Sequence, residues 1–214
     1  MILDLLEKRY GANPWNWHTT LQPFQVMIST ILSQRTKDSN TDKAAGQLFA
    51  KYRMPEQIAH APVRILEKLI RPSGFYRVKA RRIKEVSRII LEDYGGKVPE
   101  SIDELVRIPG VGRKTAGCVL VYGYGIADSI PTDTHVHRIS NRIGLVKTKT
   151  PGKTEQALMK AAPRTYWMKI NRLLVVHGQN ICRPVGPKCP VCPVNKYCDY
   201  YKNVYLKMKR GWLA

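Results

Sequence analysis

The sequence predicts an all-α protein. Apolar residues recur at helical spacing along most of the chain, and nowhere do apolar and polar residues alternate with the period of two that a half-buried strand needs. Proline and glycine punctuate these stretches, most sharply at Pro109-Gly110-Val111-Gly112, which reads as a tight hairpin between two helices. No repeat of fixed period runs through the chain.

Composition narrows the function. At 214 residues the chain suffices for one sizeable domain or two small ones. Lys and Arg number 36 against 16 Asp and Glu, a net charge of +20. Such an excess selects a polyanionic partner, either nucleic acid or an anionic membrane. The membrane is the weaker choice, because no apolar run approaches the ~18 residues of a spanning helix. The start, Met1 to Glu7, carries acids where a signal peptide needs bases, so a cytoplasmic, nucleoid-associated location is expected. Five cysteines in a reducing compartment point to metal or reactive thiols and away from disulfides.

Residues 1–10 read as a short helix with Ile2, Leu5, Leu6 and Arg9 in phase. The link Asn13-Pro14-Trp15-Asn16-Trp17 is turn-rich, and its two tryptophans are assigned to packing. The apolar run from Pro23 to Ser33 is a buried helix, ended by the polar segment from Ser33 to Asp38. Asp38 is placed to cap a helix over 39–52; another follows over 63–70, with turns at Pro55 and Pro62. After Pro72-Ser73-Gly74-Phe75-Tyr76, the bases Arg77, Lys79, Arg81, Arg82, Lys84 and Arg88 share one helix that ends at Gly95-Gly96. They pair phosphates or solvate a surface face; at +20 some are expected to meet nucleic acid.

Ser101 is placed to cap the first hairpin helix, with Glu104 completing a capping box. Ile102, Leu105, Val106 and Ile108 would form its inner face; Thr115, Cys118, Val119 and Tyr122 follow on the second helix. Cys118 is read as core. The hairpin glycines let a phosphate approach amides that also open the second helix, whose positive end favours an anion. Lys114 breaks the local rule, being a cation in that helix's first turn. The helix end works toward the neutral, nucleophilic amine, although a solvated lysine on a phosphate is the alternative. Asp133 precedes a helix running to Ile143 and closed by Gly144, where aspartate is a favoured N-cap and is held in direction by that role. Further helices are expected over 154–162 and 165–176. Finally, Cys182-x6-Cys189-x2-Cys192-x5-Cys198 gathers four thiols within 17 residues, a ligand loop whose chemistry allows zinc or an iron–sulfur cluster.

Ile108-Pro-Gly-Val-Gly-Arg-Lys114, followed by Thr132-Asp133-Thr134-His135, resembles the helix-hairpin-helix DNA glycosylases and, more narrowly, the endonuclease III family. The resemblance extends from about Pro23 to Cys198. It implies a six-helix domain over 17–127 and a second helical domain from 1–16 plus 128–214, with a DNA cleft between them. Lys114 then takes the place of the catalytic nucleophile and Asp133 that of the catalytic carboxylate. Gly110, Val111, Gly112 and Arg113 fall where the hairpin meets the DNA backbone. The segment Gln34-Arg35 corresponds to the loop that fills the hole left by a flipped nucleotide; the closest register puts Arg35 at the filling position, with Gln34, one place earlier and of the residue type many relatives carry there, as the alternative. Phe75 falls where an apolar residue wedges into the opposite strand, with a core role as its alternative. The cysteine spacing is that of the family's [4Fe–4S] loop, and Arg183 and Lys188 lie in the part that touches DNA. From Arg183 to Arg210 the sequence has seven bases and one acid, Asp199.

The activity this resemblance implies is base excision at oxidised pyrimidines, with cleavage 3′ to the abasic site through a lysine Schiff base. The substrate is double-stranded DNA with damaged bases or abasic sites, bound by a monomer. A glycosylase without lyase chemistry is the runner-up; such enzymes generally lack lysine at this position. A non-catalytic iron–sulfur DNA-binding protein is the third reading, and it leaves Lys114 and Asp133 unexplained.

Overall fold

In the computed structural model, residues 1–11 and 21–211 are described, and regular structure among them is helical. The tryptophan-bearing link over 13–17 lies outside the described residues. The chain divides into two compact units, Asn16–Ile126 and Met1–Trp15 with Ala127–Ala214. Helix α1 (Ile2–Tyr10) belongs to the second of these. The first contains α2 (Pro23–Ser33), α3 (Asp38–Lys51), α4 (Pro55–His60), α5 (Val63–Leu69), α6 (Tyr76–Tyr94), α7 (Ile102–Leu105) and α8 (Arg113–Cys118). A wider π turn, Val119–Tyr124, prolongs α8. The remaining helices are α9 (Thr134–Ile143), α10 (Pro151–Ala161), α11 (Trp167–Asn180) and α12 (Leu206–Gly211).

Helix α2 is apolar on nearly every side and is correspondingly buried from Phe24 to Leu32 except at Gln25. Pro23 opens it at a position where no amide hydrogen is needed, and the Gln22 amide donates to Gln25 Oε1 at 3.3 Å. Around α2 pack α3, α6 and α8. Helix α6 contributes Ala80, Ile83, Val86 and Ile90 to this core and stops at Gly95, whose φ of 59° is the left-handed conformation glycine tolerates. Leu48, Ile58, Leu66 and Leu105 are all fully buried here. Truncating any of them to alanine would cost ~2–5 kcal/mol, a large part of a typical domain's stability.

The other unit has its own core. Leu6, Val136, Ile139, Leu158, Ile170, Leu173 and Leu174 are fully buried in it. Helix α11 lies against both α1 and α9. Thr150 caps α10 by accepting from the Lys153 amide at 3.4 Å, with Pro151 as the first helical residue. A 3-10 turn, Arg164–Tyr166, leads into α11.

Several local expectations are corrected. The inner face of α1 is Leu3, Leu6 and Tyr10, since the phenol of Tyr10 is drawn in to hydrogen-bond His177. Asp38 is the first residue of α3 and Lys37 its cap position. Pro55 starts a helix, α4, where a turn was expected: its fixed φ suits a first helical position, and Gln57 Oε1 accepts the Arg53 and Met54 amides at 2.7 and 3.1 Å. Ser101 occupies the N-cap of α7 but its side chain makes no capping hydrogen bond. Val106 is exposed, because α7 is a single turn and the chain leaves helical phase after Leu105. Lys79 is buried, unlike the other bases of α6.

Candidate functional site

The hairpin is a tight turn. The Ile108 amide donates to Leu105 O at 3.2 Å and the Val111 amide to Ile108 O at 3.0 Å. Gly110 has φ +86°, and a Cβ there would stand 2.4 Å from Cδ of Arg82 on α6. The left-handed backbone favours glycine, and the Arg82 side chain would have to move aside for any Cβ there. Gly112 is the N-cap of α8, exposed, with nothing within 4 Å of where its Cβ would be. Gly110 and Arg113 are exposed as well, whereas Val111 has its side chain in the core and its amide in the turn. Val111 therefore anchors the hairpin, and the exposed approach is formed by its neighbours. Lys114 is half-buried in the first turn of α8, backed by the buried run from Thr115 to Val121.

Asp133 is the N-cap of α9 and accepts the Val136 amide on Oδ1 at 2.9 Å. Helix α9 ends at Gly144 with φ 83°. Pro131 and Thr132, just before the cap, are buried, and Asn171 Nδ2 on α11 donates to Pro131 O at 2.7 Å. The carboxylate thus leaves a segment fixed at both ends.

Gln34, Arg35 and Phe75 are brought together from two loops. All three are exposed, Phe75 to 62%. The Arg35 guanidinium lies 5.9 Å above the Phe75 ring. Among the described residues, the non-glycine positions with positive φ are Arg35 (51°) and Phe75 (58°). On α6, Arg77 and Arg81 point to solvent, with Arg77 over the ring of Tyr76 at 5.3 Å. Lys84 donates to Ala61 O at 2.6 Å, Arg82 pairs with Glu85 at 3.2 Å, and Arg88 pairs with Glu92.

Cys182, Cys189, Cys192 and Cys198 all line one pocket, together with Ile143, His177, Tyr200 and Tyr201. None is in a disulfide. Two 3-10 turns, Cys189–Val191 and Asn195–Tyr197, bend the loop so that its cysteines face this space. Among the described residues no group of three or more His, Cys, Asp or Glu side chains could hold a single metal ion. Four free thiols around a common space are nevertheless the donor set of a polynuclear iron–sulfur centre, which needs more room than one tetrahedral ion. Burial pushes the Cys192 thiol up to about 11, and raises Cys189 and Cys198 as well. Those three thiols are therefore protonated at neutral pH, and a metal centre would have to displace their protons. Cys118 is buried in the core of the other unit.

Sequence reasoning missed the side chains that hold this loop. Arg138 and Arg142 are one turn apart on α9. Arg138 donates to Cys182 O at 2.9 Å; Arg142 donates to Arg183 O at 2.6 Å and Pro184 O at 2.9 Å, and lies over the Tyr200 ring at 4.5 Å. Their i,i+4 spacing on an otherwise amphipathic helix was the available signal. His177 is fully buried, and burial lowers it to about 4. Its Nδ1 is 2.9 Å from the Tyr10 hydroxyl and its Nε2 is 3.6 Å from Cys192 Sγ. With the phenol donating to Nδ1, the Nε2 proton faces the sulfur. Arg183 and Lys188, in the same loop, are exposed.

Known proteins share this arrangement. Residues 28–164 match the family described as HhH-GPD superfamily base excision DNA repair protein. Endonuclease III of Thermotoga maritima is 50% identical over 202 residues, which is 94% of each chain. A solved non-covalent endonuclease III–DNA complex has a TM-score of 0.86 at 33% identity, covering 97% of this chain and 95% of that one. A trapped endonuclease III–DNA covalent intermediate has a TM-score of 0.84 at 34% identity, covering 94% and 93%. Sequence and fold agree over nearly the full length, and the chain belongs to the endonuclease III family of base excision DNA repair proteins.

Proposed function

We propose that the protein is a bifunctional DNA glycosylase and abasic-site lyase that acts as a monomer, in the nucleoid, on oxidised pyrimidines in double-stranded DNA. The observation that carries this reading is Lys114 in the first turn of α8, directly after a glycine hairpin, in a chain half identical to an endonuclease III. The lesion base leaves the stack, and the hairpin residues Gly110, Gly112 and Arg113 seat the backbone phosphates beside it. Val111 supports that seat from within. The Lys114 amine attacks C1′ of the sugar as the glycosidic C–N bond breaks, and the base departs. The C1′-bound nitrogen gives up one proton, the C1′–O4′ bond breaks with O4′ taking up a proton, and a protonated imine joins Lys114 to C1′. Removal of the C2′ proton then expels the 3′ phosphate by β-elimination, and water releases the lysine. The Asp133 carboxylate takes up the lysine proton and stabilises positive charge on the sugar; its cap to α9 keeps it aimed.

Gln34, Arg35 and Phe75 probe the duplex, Arg35 filling the vacated space and Phe75 wedging opposite. Cys182, Cys189, Cys192 and Cys198 hold a [4Fe–4S] cluster, which as a cross-link fixes the loop that presents Arg183 and Lys188 to DNA. Borohydride trapping on abasic DNA tests the chemistry. Wild type forms a covalent adduct, and Lys114→Gln forms none while still binding DNA. An adduct from Lys114→Gln would move the nucleophile elsewhere. Base release without any adduct from wild type would point to a glycosylase lacking lyase activity.

A further inference from the structure

The two loops that carry Arg35 and Phe75 are tied together by one buried cation. Lys79, in the second turn of α6, is 6% exposed. Its ammonium donates to Leu32 O at 2.7 Å, Gln34 O at 2.5 Å, Thr36 Oγ1 at 2.8 Å and Ser73 Oγ at 2.9 Å. Three of these acceptors belong to the end of α2 and the loop after it; the fourth belongs to the loop before α6. Cross-links surround the knot. Ser73 Oγ donates to Leu32 O at 2.9 Å, and the Gly74 amide donates to Thr36 Oγ1 at 3.0 Å. The loops touch so closely that a Cβ on Gly74 would lie 2.8 Å from Arg35 O.

Among the described residues no salt bridge to Lys79 accounts for its burial: the four partners given above are neutral oxygens. A buried charge that meets only backbone and hydroxyl oxygens organises the atoms around it. The atoms it organises lead directly to the two positive-φ residues, Arg35 and Phe75, whose side chains stack outside the knot. Left to themselves, non-glycine residues leave that backbone region, so something must hold both.

Resting on the reading of Arg35 and Phe75 as duplex probes, we infer that Lys79 is a positioning residue. It locks residues 33–37 and 72–76 into one rigid probe, so that the filling side chain and the wedge enter the duplex together. Lys79 touches no DNA in this scheme. Its effect passes through the shape of the two loops, and it bears on extrusion of the base, not on the chemistry at C1′.

The test compares two substrates and a double-mutant cycle. Lys79→Met is expected to unfold cooperatively and to form the borohydride adduct at a preformed abasic site within about threefold of wild type. Excision of a paired oxidised pyrimidine should fall by about tenfold or more, as should that of Phe75→Ala, since both act on extrusion. The double variant should be no slower than the slower single variant. Should Lys79→Met fail to fold, Thr36→Val carries the test. It removes one acceptor while keeping Lys79 and the side-chain shape, and the same selective loss is expected. Losses that multiply in the double variant, equal slowing on both substrates, or no slowing at all would overturn the inference. Excision of the paired lesion at the wild-type rate by both Phe75→Ala and Arg35→Ala would instead sink the reading of these residues as duplex probes on which the inference rests.

Discussion

Replacing Phe75 by glycine and, separately, by alanine divides backbone strain from the work of the ring. Phe75 has φ 58° and ψ 32°. Left-handed backbone costs an L residue ~1–2 kcal/mol that glycine escapes. Glycine gives back ~0.5–1 kcal/mol through its freer unfolded chain, so Phe75→Gly should be more stable than Phe75→Ala by roughly 0.5–1 kcal/mol. The ring is 62% exposed, so both variants lose similar, small burial. For a chain of this size ~1 kcal/mol corresponds to about 2–4 °C, which calorimetry resolves. Both variants should slow excision of a paired lesion by about tenfold or more relative to cleavage at a preformed abasic site, because extrusion costs a few kcal/mol and the wedge supports it. A glycine variant no more stable than the alanine one would show that the backbone is not left-handed in solution. Excision at the wild-type rate in either variant would show that the ring does not wedge.

Purified protein should be yellow-brown with iron near ~4 atoms per chain; Cys118→Ser should keep that iron and Cys189→Ser lose it, and a single zinc in colourless protein would refute the cluster. Affinity for DNA should fall steeply with salt, and Arg183→Ala or Lys188→Ala should each reduce the slope of log affinity against log salt by about 0.9 for every sequence alike; an unchanged slope removes that residue from the interface. Asp133→Asn should keep its melting temperature, since asparagine caps as well as aspartate, while turnover drops by about 10²–10⁴; an unfolded variant would make the carboxylate chiefly structural. Burial lowers Lys79 from 10.5 to about 8. Between those values the unfolded chain binds the extra proton, so wild-type stability relative to Lys79→Met should rise with pH across that window in denaturant titrations. A fall would show that the four oxygen acceptors outweigh burial.

The helices were legible because their apolar spacing is regular and their ends are marked: Pro23, Gly95, Asp133 and Gly144 all act where the sequence places them. Pro55 was misread because proline signals both a turn and a first helical residue, and only Gln57, closing back on two amides, decides between them. The hairpin and the cysteine loop were legible as local motifs. What could not be read was contact at long range. Lys79 is in helical phase with the buried Ile83, Val86 and Ile90, opposite Arg77 and Arg81, so its inward face was legible. Its acceptors Leu32, Gln34 and Thr36 were not, because they arrive from 43 or more residues away. The hold of Arg138 and Arg142 on the cysteine loop spans 41 to 44 residues in the same way.

The two residues proposed for the chemistry both stand at helix N-termini, and the same field acts on them in opposite senses. At the first turn of α8 the helix end opposes a cation, and the neighbouring Arg113 adds a second positive charge. At the cap of α9 the helix end favours an anion, and the Val136 amide binds it directly. That hydrogen bond fixes the direction in which the carboxylate faces. Gly110 takes the left-handed backbone of the turn over which α8 begins, Gly112 leaves open space at the helix cap, and the apolar Val111 between them is buried. An aspartate at position 114 would suit its helix end but offer no amine, and a lysine at the α9 cap would lose the hydrogen bond from the Val136 amide. The helix end therefore accounts for Asp133, whereas Lys114 stands against its own helix, and the nucleophilic role proposed for it is what gives a lysine a reason to be there.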